Sequence, residues 1–192
     1  MTTNAGDETV FRNAPIVVGV TGGIAAYKAC ALVSRLAQAG AEVAVLMTES
    51  ATRFVGPATF GALSGNHVYT SVWEHAQSDD PQHVALARRA RAIVVAPCTM
   101  NCLAKLAHGM ADDVVTLALS AVDRSKTPVL LAPAMNADMW MQASTQRNIE
   151  TLRGDGYRFI GPDDGWQACR TSGPGRMSEP DAIFDSLRAA IA

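Results

Sequence analysis

A chain of 192 residues, 48% hydrophobic and 18% charged, carries enough apolar content for one substantial core, and a single domain is expected. Its net charge of −2 leaves no electrostatic footprint for nucleic acid. No apolar run reaches the ~18 residues of a membrane-crossing helix, so the expected partner is a small molecule or a peptide.

Residues 1–14 are polar and lack the apolar core of a signal peptide, so they read as a disordered tail on a cytoplasmic protein, ahead of a domain at 15–192. The cysteines at 30, 98, 102 and 169 suit that compartment. Cys98 and Cys102 have three residues between them, but no second pair or nearby His completes a zinc set, so no metal site is expected.

The predicted elements then alternate strand, loop and helix, without internal repeat, which is the pattern of an α/β domain. Residues 16–20 read as the first strand, and TGGIAAYK at 21–28 turns the chain into a helix that runs to about residue 39 and stops at Gly40. Adjacent glycines let the backbone approach an anion, and free amides at a helix start can hold a phosphate. A tight strand-to-helix turn explains the same residues, and the string is not the GxGxxG fingerprint. A second strand at 42–47 precedes Thr48 and Ser50, whose hydroxyls can cap the next helix or bind ligand oxygens. A helical segment through residue 63, interrupted near Pro57, leads to a weak strand at 67–70.

The polar stretch 75–82 reads as an exposed loop, and His83 opens the helix HVALARRA; a lone His is more often structural than functional. A β-branched strand at 93–95 runs into APCTMNCLAKLAHGMADD. In its turn, Thr99 to Cys102 supply a hydroxyl, an amide and helix-start N–H groups, although helix capping by Thr99 or Asn101 explains the same choice. Leu103, Leu106, Ala107 and Met110 read as the buried face of the following helix, and His108 as a surface residue. Residues 129–132 form an all-apolar strand, and Asn136 lies just past its carboxyl end, where open α/β sheets bind ligands. Its amide can donate to a carboxylate, or it can cap the helix that Asp138 begins. That helix is expected over 138–153, ended by Gly154 and Gly156, with a last short strand at 157–160. The Gly- and Pro-rich run GPDDGWQACRTSGPGRM at 161–177 suits neither helix nor strand and reads as a mobile flap, before an amphipathic helix at 181–191.

Several of these strings, in this order, resemble the homo-oligomeric flavin-containing cysteine decarboxylases. PAMNADMW is similar to the family's PxMNxxMW signature, HVAL to its HxxL-type active-site His motif, and ACRTSGPGRM to its substrate clamp ACGxxGxGRM. The resemblance covers nearly everything after residue 15. It implies a flavodoxin-like (Rossmann-type), doubly wound parallel sheet of five or six strands in a single domain. It also implies FMN as cofactor and a homo-oligomer, a trimer or a multiple of trimers, with FMN near a subunit boundary. By the same resemblance FMN is held by Gly22, Gly23, Ile24, Thr48, Ser50, Thr99, Met100, Asn101, Cys102 and Ala134. Substrate is held by Met135, Asn136 and Arg176. The implied catalytic residues are His83, which moves a proton at the cysteine moiety, Asn136, which holds the carboxylate, and Cys169, which protonates the enethiolate.

The activity implied is FMN-dependent decarboxylation of 4′-phosphopantothenoylcysteine to 4′-phosphopantetheine in coenzyme A biosynthesis. The family also includes enzymes that decarboxylate a peptide ending in Cys, and non-catalytic relatives that regulate phosphatases by binding them. Cys169 within a GRM-ended clamp favours the first activity. Arg170 departs from the pattern's Gly and is acceptable if its φ is negative and its side chain faces outward. His83, Asn136 and Cys169 together argue against a pure binding role. Nothing resembles the nucleotide-binding synthetase domain of many bacterial relatives, so a stand-alone decarboxylase is expected.

Overall fold

The computed structural model describes residues 9–73 and 81–192. The strands Pro15–Val20 (β1), Glu42–Met47 (β2), Val68–Tyr69 (β3), Ala92–Cys98 (β4), Val129–Pro133 (β5) and Arg158–Phe159 (β6) form one parallel sheet in the order β3-β2-β1-β4-β5-β6. This is the expected doubly wound topology, in the Rossmann-type order. Between and after these strands come the helices Ala26–Gln38 (α1), Pro57–Ser64 (α2), Gln82–Arg89 (α3), Met100–Ala107 (α4), Val114–Ser120 (α5), Ala137–Met141 (α6), Ala143–Gly154 (α7) and Pro180–Ile191 (α8).

Every residue of β4 and β5 is buried, which explains why both read as unbroken apolar runs: helices cover both faces of the sheet. Strand alternation divides the core in two. Ile16, Val18 and Val20 face a layer with Leu32 and Leu36 of α1, Phe60 of α2 and Phe184 and Leu187 of α8. Val17, Ile93, Val95 and Leu131 face Ala87 of α3, Leu103 of α4, Leu119 of α5 and Leu152 of α7. Among the described residues no helix is long and apolar enough to cross a membrane.

Several expectations are corrected. Order begins before residue 15: Thr9–Phe11 make a 3-10 turn, and Phe11 is fully buried with its ring 4.7 Å from that of Phe184. Burying one such ring stabilises by about 1.5–3 kcal/mol, enough to dock a short polar segment. Residues 1–8 of the expected tail, and 75–80 of the loop expected at 75–82, lie outside the described residues, and Gln82 is no part of an exposed loop, because it opens α3 and is buried. Met110 is half exposed rather than buried, because α4 ends at Ala107 and Gly109 (φ 67°) turns the chain away. The helix expected at 138–153 is two helices that meet at Gln142. There, Thr145 Oγ1 donates to the Met139 carbonyl at 2.7 Å and Gln146 Nε2 to that of Trp140 at 2.6 Å, in place of helical N–H donors. Finally, the flap contains an antiparallel hairpin, Asp163–Trp166 (β7) with Ser172–Arg176 (β8).

Candidate active site

The switch point of the sheet lies between β1 and β4, from which the chain leaves in opposite directions. Thr21 spans that gap. Its Oγ1 donates to the Pro97 carbonyl at 2.7 Å and accepts the Thr99 N–H at 3.1 Å, so the two strand ends are fixed relative to one another. Above them opens a cavity of about 740 Å³, within the range of small-molecule and cofactor sites.

One wall is the β1–α1 turn. Gly22 must be glycine because a Cβ there would lie 2.5 Å from the Cβ and Oγ of Ser50, so the β2 loop seats directly on this backbone. The N–H groups of Gly22, Gly23 and Ile24 donate to no acceptor among the described residues. Across the cavity Thr99 caps α4, its Oγ1 accepting the Cys102 N–H at 3.3 Å, and the first N–H groups of α4 have no partner within the helix. Unfilled donors on two sides, with Ile24, Met100, Met135, Met139 and Trp166 between them, suit a broad flat apolar group that carries a polar, anionic chain.

A second wall is Ala134 to Asn136. Ala134 N–H donates to the Cys98 carbonyl at 3.0 Å, which ties β5 to β4 where pairing would otherwise fray. Asn136 is the N-cap of α6, its Oδ1 accepting the Met139 N–H at 2.8 Å. The capping explanation is observed, and it leaves room for a ligand contact. The cap commits Oδ1, and Nδ2 is the half of the amide that remains to donate to a ligand.

The third wall is the flap hairpin, and what positions it is Gln167, a buried residue that sequence reasoning passed over. Its Oε1 accepts the Ala137 N–H at 3.1 Å, while its Nε2 donates to the carbonyls of Gly173 (3.3 Å) and Pro174 (2.8 Å). Met135 N–H adds a bond to the Gly175 carbonyl at 2.9 Å. The approach is close enough that a Cβ on Gly175 (φ 115°) would fall 2.4 Å from the Met135 oxygen. The flap is thus pinned to the Asn136 loop, and Cys169 is carried to the same cavity, exposed, with its sulfur 3.0 Å from Thr171 Oγ1. Arg170 has φ 66°, so of the two conditions for tolerating Arg there the negative φ is not met and the outward, exposed placement is; a left-handed non-glycine residue stands where the clamp pattern has Gly.

The cavity gathers Gly22, Gly23, Ile24, Ser50, Thr99, Met100, Asn101, Ala134, Met135, Asn136, Cys169 and Arg176. Three expected residues lie outside it. Thr48 sits behind Ser50, its Oγ1 3.3 Å from Ser50 Oγ and accepting the Ala51 N–H. Cys102 is buried beneath the turn against Cys98. Burial first, and then its contact with Cys102, pushes the Cys98 thiol well above the usual range, so Cys98 is neither placed nor charged to react. His83 begins α3, which packs on the α5 side of the sheet, away from α1. Tyr27, Lys28, Met139, Trp166 and Gln167 line the cavity but were not foreseen. Tyr27 and Lys28 had a signal, being three and four residues after Ile24 and hence on its face of the chain once α1 has begun.

The coenzyme A biosynthesis bifunctional protein CoaBC of Bacillus subtilis (strain 168) is 48% identical over 174 residues, 91% of this chain and 42% of that protein. CoaBC of Mycolicibacterium smegmatis is 47% identical over 168 residues, 88% of this chain and 39% of that protein. The chain thus spans about two fifths of these relatives. Among solved structures, a PPC decarboxylase mutant complexed with pantothenoylaminoethenethiol superposes with TM-score 0.85 at 30% identity, covering 93% of this chain and 98% of that one. The FMN-dependent cysteine decarboxylase SpaF superposes with TM-score 0.79 at 33% identity, covering 95% and 99%. The Flavoprotein family model matches residues 6–192, and the chain belongs to that family.

Proposed function

We propose that this chain is an FMN-dependent cysteine decarboxylase that converts 4′-phosphopantothenoylcysteine to 4′-phosphopantetheine. The observation that carries the reading is the meeting of two side chains on one cavity: the Nδ2 donor of Asn136 and, on a hairpin pinned to the same loop, the exposed thiol of Cys169. A carboxylate holder and an acid held beside it are what a reductive finish to decarboxylation needs. The similarity to a PPC decarboxylase over 98% of its chain supports the same substrate.

The unfilled N–H groups at Gly22 to Ile24 suit the cofactor's phosphate, and Thr99, Met100, Asn101 and Ala134 its ring and ribityl chain. When bound, FMN accepts the electrons of thiol oxidation and returns them after carbon dioxide has left. Asn136 holds the substrate carboxylate by a neutral donor, so no fixed cation opposes its departure as carbon dioxide. The electrons of the broken bond pass toward the oxidised sulfur and give an enethiolate. Cys169 protonates that enethiolate while the hairpin shields it from water.

His83 would assist proton movement at the cysteine moiety, and since it lies outside the cavity of its own chain, a second copy must supply it. We infer a homo-oligomer, a trimer or a multiple of trimers, in which α3 of one copy meets this cavity on another. The exposed Ile24, Tyr27, Met139, Met141 and Trp166, several of them at the cavity mouth, supply apolar surface for such contact.

The decisive experiment is mass spectrometry of products after incubation with phosphopantothenoylcysteine and, in parallel, with a peptide ending in Cys. Phosphopantetheine from the first is expected. Product from the peptide alone would replace this substrate assignment.

A further inference from the structure

Lys28 lies in the first turn of α1 and lines the cavity. Its side chain is 11% exposed, and its Nζ donates to Glu179 Oε1 at 2.8 Å and to the Met177 carbonyl at 3.4 Å. Arg176 ends β8 and lines the same cavity, and its guanidinium donates to the same Oε1. It lies across the opposite flap strand, where a Cβ on Gly165 would come 3.1 Å from Nη1. One carboxylate oxygen therefore draws together two cations from distant parts of the chain, one on the fixed helix and one on the flap.

The charges do not cancel. Glu179 is held below the usual carboxylate range, by the Lys28 hydrogen bond first and by Arg176 as well, so it stays ionised as the countercharge. Yet Glu179 is not among the residues lining the cavity, and neither is any Asp or other Glu, whereas both cations are. The cavity rim therefore shows a ligand two positive groups and a net charge of one, with N–H donors to spare on each. Lys28 keeps its ion pair with Glu179 while lining the cavity, so its charge is available at the rim without losing that structural contact.

We propose that Lys28 and Arg176 together form the subsite for the anionic, phosphomonoester end of the substrate, and set the preference for phosphorylated over unphosphorylated pantothenoyl ligands. The cofactor's own phosphate is provided for by the free N–H groups at 22–24. The cation pair differs in being half carried by the flap, so it assembles with flap closure and reports on what the flap covers. Closure around a dianion joins α1, β8 and the ligand at one point.

This inference rests on the decarboxylase reading for the identity of the ligand, and the test separates the two. Calorimetry on the FMN-loaded protein measures binding of 4′-phosphopantothenate and of pantothenate, neither of which can react. Wild type should prefer the phosphorylated ligand by about ten- to a hundredfold, the factor carried by a charge-assisted hydrogen bond. Lys28→Met and Arg176→Met should each remove most of that preference, leave pantothenate binding unchanged and retain FMN at wild-type stoichiometry. A wild type that does not discriminate, variants that keep the preference, or variants whose only defect is weaker FMN binding would each overturn the assignment. If the preference holds but phosphopantothenoylcysteine gives no product, the reaction assigned above is wrong and the phosphomonoester subsite stands.

Discussion

The side chain of Asn136 and the backbone of Met139 are joined by a 2.8 Å hydrogen bond that gives one amide two duties. Oδ1 starts α6, and the same bond orients Nδ2. Aspartate is an equally good N-cap, so Asn136→Asp should keep the melting temperature near wild type. It replaces the donor with a second carboxylate beside the substrate's own, and like charges at short range in a low-dielectric cavity repel strongly. Decarboxylation should fall to background. Asn136→Ala should lose both duties, with about 1 kcal/mol of stability gone as well. Thermal unfolding and product assay together check the split.

Gln167 should prove as necessary to turnover as the residues that touch substrate. Gln167→Ala leaves the Ala137 N–H and two flap carbonyls without their partner, at about 1–3 kcal/mol for each group that water cannot reach. The expected result is a flap that exchanges amide hydrogens rapidly and is cut readily by protease, with FMN still bound and activity severely reduced. Unchanged protection of residues 163–176 would show that other contacts hold the hairpin.

Arg170 offers a test of sign. At φ 66° a non-glycine residue is strained, at roughly 1–2 kcal/mol, while glycine is at ease there but loses more freedom on folding, by about 0.5–1 kcal/mol. Arg170→Gly should therefore slow hydrogen exchange in the hairpin slightly. Arg170→Val should speed it, because a β-branched side chain tolerates the left-handed region least.

The sheet was legible because β1, β2, β4 and β5 are apolar runs bounded by turn residues. Failures arose where order comes from distant contacts. The Gly and Pro content of 161–177 reads as loop, and it is the β7–β8 pairing, the Gln167 bonds to Ala137 and across the hairpin, and the Met135–Gly175 bond that make it a structured lid. Helix α5 escaped notice because VVTLALS opens with β-branched residues and has no polar face. Its signal was instead the capping box between Asp113 and Thr116. The cavity-lining loops were legible from the motifs, but His83 shows the limit: a motif match assigned it to a site whose cavity, within this chain, it does not line.

That limit is testable by mixing. His83→Ala and Asn136→Ala should each be inactive alone. If each site takes His83 from one copy and Asn136 from another, hetero-oligomers reassembled from the two variants contain some sites with both residues intact, and activity should reappear. No recovery from a mixture shown by mass to be mixed would place both residues in one chain's site.

In the proposed mechanism Cys169 decides how the reaction ends. It is exposed, whereas burial raises the Cys98 thiol strongly and the Cys30 thiol to a lesser degree, so an alkylating reagent should modify Cys169 first and abolish turnover. Cys169→Ser is the sharper test. In that mechanism oxidation and loss of carbon dioxide rely on His83, Asn136 and the bound cofactor and not on residue 169, so they should proceed. A serine hydroxyl is a far weaker acid than a thiol, and the enethiolate should then wait unprotonated. Under anaerobic conditions the variant should bleach its flavin once and release a product lighter than phosphopantetheine by two hydrogen atoms. Wild type should release phosphopantetheine and regain its colour. If wild type itself yields the lighter product, the reaction stops at the enethiol and Cys169 serves only to close the flap. If Cys169→Ser makes phosphopantetheine at the wild-type rate, the proton comes from another group on the cavity.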